Sequence, residues 1–148
     1  MKVVIQRAQD ARVVVDGDVV GQIDAGFVLL VGFTHDDTIE DMNYMLKKIP
    51  NMRIFEDDEG KMNLNIIQKE FDILSISQFT LYADTKKGNR PGFSNSMKPD
   101  TAKAMYLDFN QKLRNLGLHV EEGVFGASMD VKFTNHGPVT IVLDSKNR

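Results

Sequence analysis

The chain is expected to fold as a single α+β domain over residues 1–148, a curved, mainly antiparallel β-sheet or barrel carrying two main helices. Three observations predict it. Apolar residues alternate with period two through several segments, whereas two stretches repeat at helical spacing. An Asp-Gly step between β-branched residues near the start marks a hairpin. No repeat, low-complexity tract or linker divides the 148 residues, a length that can bury a core without disulfides.

The elements follow in order. Val3, Ile5 and Ala8 mark a first strand, and Ala11–Val15 should pair with Val19–Ile23 across Asp16-Gly17. Gly26–Phe33, GFVLLVGF, is an almost continuous apolar run short enough to be a buried strand. Asp36 or Asp37 is expected to cap a helix whose apolar positions Ile39, Met42, Leu46 and Ile49 recur at helical spacing, ending near Pro50. Arg53–Asn65 reads as two short extended pieces around a turn at Asp57–Gly60. Phe71–Leu81, FDILSISQFTL, alternates as a central strand should. Pro99 or Asp100 opens a second helix, with Ala102, Met105, Tyr106, Phe109, Leu113 and Leu116 on one face and Gly117 as its left-handed cap. Strands around Leu118–Glu121, Met129–Thr134 and Val139–Leu143 complete the set.

Composition narrows the function classes. No window approaches the roughly 20 apolar residues of a membrane helix. The start, MKVVIQRAQDARVVV, lacks the apolar core and cleavage site of a signal peptide. The absence of cysteine excludes disulfides and thiolate metal sites and suits a reducing compartment, so a cytoplasmic location is expected. A formal charge of −3 argues against broad nucleic-acid binding. A local basic site stays open, because Thr85–Pro99 carries Lys86, Lys87, Arg90 and Lys98 without an acid. That segment is either a solvated loop or a phosphate-contacting one.

The familiar catalytic motifs are missing: there is no nucleophile elbow, Walker loop, dinucleotide fingerprint or zincin helix. His35-Asp36-Asp37 reads as a helix start and Asp57-Asp58-Glu59-Gly60 as a plain turn, so no metal or cofactor is expected. Polar chemistry at strand ends remains. Strict alternation through Leu81 would set Ser75, Ser77 and Phe79 on one face and Ile76, Gln78 and Thr80 on the other. Such groups are either satisfied core polar residues or a floor whose N–H groups bind an oxyanion. Gly137-Pro138 also has two readings. A strand start accounts for the proline. The alternative is a cis bond, with glycine permitting close approach of a ligand.

SQFTL at Ser77–Leu81 together with NHGPVT at Asn135–Thr140 resembles the paired signature of the D-aminoacyl-tRNA deacylases, also called D-tyrosyl-tRNA deacylases. The similarity extends through IQRA at Ile5–Ala8, RIFEDDEGKMN at Arg53–Asn63, KGNRPGF at Lys87–Phe93 and FGASM at Phe125–Met129. Gly92 departs from the family, where serine is common.

The resemblance implies that family's fold, in a homodimer with active sites at the subunit interface. It also implies hydrolysis of the D-aminoacyl ester on the 3′-terminal adenosine of tRNA, with glycyl-tRNA a possible further substrate. In that reading Ser77, Gln78, Phe79 and Thr80 form the catalytic segment. Gly137 and a cis Pro138 are the chiral filter entering the neighbouring subunit's pocket, and Arg7 fixes the filter loop. Phe125, Ala127 and Met129 match the adenosine pocket, with ordinary core packing the alternative for each. Lys86, Lys87 and Arg90 would meet tRNA. Thr80 could be a covalent nucleophile, but no base is evident beside it in the sequence. The other mechanism lets the terminal 2′-hydroxyl of the RNA help activate water, with backbone donors holding the oxyanion. His136 is expected to be a bystander.

Overall fold

The structure, a computed structural model, describes residues 1–148. Strands β1 (Lys2–Val15) and β2 (Asp18–Gly32) form one long antiparallel hairpin. Asp16 and Gly17 turn it with φ of 49° and 83°, the pair of positive angles that matches the natural twist of a hairpin. Ala11 faces Ile23 and Val15 faces Asp18, the pairing expected from the sequence.

Helix α1 (Ile39–Asn51) and a ribbon of β3 (Phe55–Glu56) and β4 (Met62–Leu64) carry the chain over to β5 (Asp72–Ser77). Strand β5 lies parallel to β2. Helix α2 (Pro99–Asn115) then leads to β6 (Val120–Glu122), parallel to β5. Strand β7 (Asp130–Asp144) closes the order β6-β5-β2-β1-β7 by pairing antiparallel with β1. The sheet is therefore mixed and open, although its longest ladders are antiparallel. Both parallel pairs follow a helix-containing crossover, the connection that parallel strands require.

Two cores fill the sheet's two faces. Ile5, Phe27, Leu29 and Ile73 meet Met42, Met45 and Ile49 of α1 and Tyr106, Phe109 and Leu113 of α2. On the other face the sheet curls over a smaller cluster that includes Ala11, Val13, Ile23, Val28, Leu74 and Ile76, with Met129, Val131 and Phe133 packed against it. Each large apolar side chain buried in this way contributes about 1.5–3 kcal/mol.

Four expectations need correction. Strand β5 stops at Ser77 rather than Leu81, because β2 ends at Gly32 and offers no ladder beyond it. Phe79–Tyr82 instead forms one 3₁₀ turn, so Gln78 and Thr80 do not continue a strand face. The two last predicted strands are one strand, since β1 is long enough to pair with both halves. Gln6 pairs with Thr140 and Ala8 with Asn135, leaving only Arg7 opposite the looped-out residues 136–139.

The cap of α1 is Thr38, in a reciprocal capping box with Asp41, and not Asp36 or Asp37. Asp37 is engaged elsewhere: the Met1 ammonium donates to its carboxylate at 2.5 Å and to Ser145 Oγ at 2.8 Å. Ser145 Oγ in turn donates to Asp41 at 2.7 Å, and Lys146 Nζ lies 3.1 Å from the same carboxylate. Burial of Asp41 favours its neutral form. Hydrogen bonds from Ser145, the Thr38 N–H and Lys146 outweigh that effect and hold the carboxyl well below the usual range.

Candidate functional site

A cavity of about 660 Å³ opens where the parallel strands β2 and β5 end. Crevices beyond the carboxyl ends of parallel strands are the usual place for ligands in sheets with helical crossovers, because the chain diverges there and leaves space. Val31 of β2 and Phe33 just beyond it, the Ser77–Phe79 segment, the start of α2, and Phe125, Ala127 and Met129 all line it. The fold thus brings Ser77, Gln78 and Phe79 together with Phe125, Ala127 and Met129, groups about fifty residues apart in sequence.

The 3₁₀ turn after β5 determines which donors face this region. The Gln78 N–H is still bound to Val31 O at 2.8 Å, and the Leu81 N–H closes the turn on Gln78 O at 3.3 Å. Phe79 and Thr80 lie between them, and their N–H groups have no acceptor within the chain. These are the orphan donors that any helical turn leaves at its start. The exposed Thr80 hydroxyl accepts a hydrogen bond from Gln78 Nε2 at 2.5 Å. An amide cannot take a proton from it. The strand itself is braced from behind, where the Tyr106 hydroxyl donates to Ser75 O at 2.6 Å. Burial raises the Tyr106 pKa and keeps that hydroxyl a donor.

Gly137 and Pro138 do not line this cavity. They protrude, exposed, from the bulge in β7, and the bond between them is cis. Ladder register separates them from Ser77: Phe27 lies opposite Arg7 whereas Val31 lies opposite Ser77, four residues or about 13 Å farther along β2. The bulge is tied at its base. Arg7, only 6% exposed, donates from Nε to His136 O at 2.9 Å and from Nη1 to Ile54 O at 3.0 Å. Gly137 has φ of 126°, and a Cβ there would stand 2.7 Å from Arg7 Nη2. Glycine is therefore required twice over, by conformation and by contact.

Asn135 brackets the same loop, a role not read from the sequence. Its Oδ1 accepts the Val139 N–H at 3.0 Å and its Nδ2 donates to Thr140 Oγ1 at 2.9 Å. The available signal was an asparagine preceding a turn, a residue that commonly bonds nearby backbone. The His136 ring lines a second, smaller cavity of about 200 Å³ beside Arg7, away from Ser77–Phe79.

Lys86, Lys87 and Arg90 are exposed on the loop after the 3₁₀ turn, form no ion pair with an acid, and do not line the larger cavity. Lys98 does, at the start of α2, alongside Phe93 and Met97. His35 also lies at its edge, with Nε2 2.5 Å from Ser94 O. In the sequence His35 belongs only to a helix start and Lys98 only to a charge run. Their convergence comes from β2 ending beside α2.

A family model described as D-Tyr-tRNA(Tyr) deacylase matches residues 4–144. A D-aminoacyl-tRNA deacylase of Anoxybacillus flavithermus is 58% identical over 146 residues, covering 99% of this chain and 100% of that protein. One of Thermus aquaticus is 54% identical over 148 residues, covering 100% of this chain and 97% of that protein. Among solved structures, a c-Myc DNA Unwinding Element Binding Protein superposes with a TM-score of 0.91 at 39% identity, covering 97% of this chain and 98% of that one. A protein described as a "probable eukaryotic D-amino acid tRNA deacylase" shares the fold at a TM-score of 0.82 and 20% identity, covering 96% of this chain and 97% of that one.

Proposed function

The chain belongs to the D-Tyr-tRNA(Tyr) deacylase family and is a hydrolase with D-aminoacyl-tRNA deacylase activity, and from that premise we propose how it selects and cleaves its substrate. The terminal adenosine of the tRNA enters the 660 Å³ cavity against Phe125, Ala127 and Met129. The ester carbonyl lies over the 3₁₀ turn. Water attacks it, the RNA's own 2′-hydroxyl assisting, and the products are free D-amino acid and tRNA.

The observation that carries this reading is the pair of unengaged N–H groups on Phe79 and Thr80 beside an apolar cavity. Fixed donors stabilise the developing oxyanion without reorganising, and losing one such donor typically costs about 10²–10³ in rate. A covalent role for Thr80 is less well supported, because its hydroxyl meets the Gln78 amide and no base.

Chiral selection needs a second subunit. Gly137 and Pro138 are exposed and stand apart from their own cavity, so in this reading they guard the cavity of a partner in a homodimer. Their rigid backbone would meet the side chain of an L-residue and leave that of a D-residue free. Discrimination then comes from a clash, which tolerates many D side chains. Glycine has no side chain to reject, so glycyl-tRNA is accepted on the same logic. No helix is long and apolar enough to cross a membrane, and the reaction is assigned to the cytoplasm, where tRNA is charged.

Incubating the protein with D-Tyr-tRNA and L-Tyr-tRNA tests the reading. The D-ester should be hydrolysed and the L-ester spared. Equal loss of both would remove the filter, and loss of neither would remove the hydrolase.

A further inference from the structure

Phe79 and Phe93 are large apolar side chains left at the surface, 56% and 36% exposed. They touch each other edge to face, with ring centroids 4.9 Å apart and planes at 69°. Both also line the rim of the larger cavity. Isolated exposed phenylalanines need no explanation, but a paired aromatic ledge at the mouth of a binding cavity does.

The ledge is held firmly. Ser96 Oγ donates to Phe79 O at 3.0 Å, Thr34 Oγ1 donates to Asn95 O at 2.6 Å, and the Met97 N–H bonds Phe33 O at 3.0 Å. The segment bearing Phe93 is thus fastened to the end of β2 and to the 3₁₀ turn. Little entropy is lost when something flat settles on it. Its surroundings are cationic: Lys98 lines the same cavity, and Lys86, Lys87 and Arg90 sit on the preceding loop, with no acid between Thr85 and Pro99.

Exposed aromatic rings beside cations are the combination that single-stranded nucleic acid uses, bases stacking on the rings while phosphates meet the charges. A strand whose terminal adenosine fills the cavity must leave across its rim. We propose that Phe93, with Phe79 supporting it edge-on, is the stacking platform for the base of the nucleotide that precedes the terminal adenosine. This subsite rests on the tRNA reading above and extends it by one nucleotide. The platform reads the flat face of the base, so it recognises an unpaired end and is indifferent to most of the tRNA body.

Two synthetic D-tyrosyl esters separate the base from its phosphate: a cytidylyl-adenosine dinucleotide, and the same molecule with an abasic ribose replacing the cytidine. D-Tyr-tRNA serves as the control. The wild-type protein should hydrolyse the intact dinucleotide with kcat/KM about 5- to 150-fold above the abasic one. In Phe93→Ala that ratio should fall to about two or less, and in Phe93→Tyr, which keeps an aromatic face, it should persist. Phe93→Leu preserves apolar volume without a ring and should behave like alanine, which covers a failure of the alanine variant to fold.

Equal hydrolysis of both dinucleotides by the wild-type protein overturns the inference. So does a ratio that survives in Phe93→Ala and Phe93→Leu, or turnover of the tRNA ester with neither dinucleotide cleaved. Failure to hydrolyse D-Tyr-tRNA itself would overturn the parent reading, and the subsite with it.

Discussion

The guanidinium of Arg7 and the main-chain carbonyl of His136 are joined by a 2.9 Å hydrogen bond that ties a buried position on β1 to an exposed loop of β7. A second bond from the same side chain reaches Ile54 O at 3.0 Å, so Arg7 is anchored on the side away from the loop. The loop cannot move without disturbing the first bond, and the second holds the guanidinium in place. The steric filter proposed above needs this rigidity.

Arg7→Ala should lower the preference for D-Tyr-tRNA over L-Tyr-tRNA at least tenfold, read from initial rates on the two esters. Lysine should not rescue it, because one ammonium cannot reproduce the fork that reaches both carbonyls. The cost in stability should be about 2–3 kcal/mol by denaturant unfolding, the range for losing hydrogen bonds to a charged group. Gly137→Ala should give the same loss of preference with Arg7 intact, since its Cβ would press on the guanidinium. Full stereoselectivity in both variants would show that the loop's position is not what discriminates.

Thr80→Ala keeps the Thr80 N–H and removes only the hydroxyl. Its kcat should fall less than about tenfold, and no acyl-enzyme should accumulate in wild-type enzyme quenched at steady state. Near-complete loss of activity together with a trapped ester on Thr80 would instead establish the covalent route.

Lys86, Lys87 and Arg90 have no acidic partners within the chain, so their charges are available to phosphates. Replacing all three with alanine should flatten the slope of log K against log salt for tRNA binding by about 2, at roughly 0.7 per single-strand phosphate contact. An unchanged slope would remove the loop from the tRNA interface.

A cavity guarded by another subunit's loop should lose its selectivity or its activity on dissociation. Specific activity should fall as the protein is diluted through its dimer dissociation range, tracked by sedimentation. A fully active, selective monomer would contradict guarding in trans.

Acid should weaken the fold through Asp41. Its carboxyl is depressed in the native state, so the unfolded chain binds more protons as pH falls. The stabilisation is complete above the ordinary carboxylate pKa of about 3.9 and is lost progressively as pH drops below it towards the native value. Asp41→Asn should lower Tm at neutral pH and make Tm less sensitive to pH between about 4 and 2. An identical acid slope in the variant would move the effect to other carboxylates.

Local chemistry made much of this legible in the chain itself. Asp16-Gly17 determined the first hairpin because few residues accept two positive φ angles in succession, and Ala102, Tyr106, Phe109 and Leu113 determined the buried face of α2 because a helix returns to the same side every three to four residues. The residue types of the Ser77–Leu81 and Asn135–Thr140 segments were likewise recognisable by motif. Tertiary structure decided what no short segment contains. The end of β5 at Ser77 depends on β2 running only one residue past Val31, to Gly32, and so the free N–H groups of Phe79 and Thr80 depend on a strand about fifty residues earlier. The unbroken β7 depends on the length of β1, which turned an apparent two-strand turn into a loop standing out from the sheet at Gly137-Pro138. Alternation records which face a residue prefers. Only the partner strands decide where the ladder stops, because a backbone hydrogen bond needs an acceptor that the segment itself cannot supply.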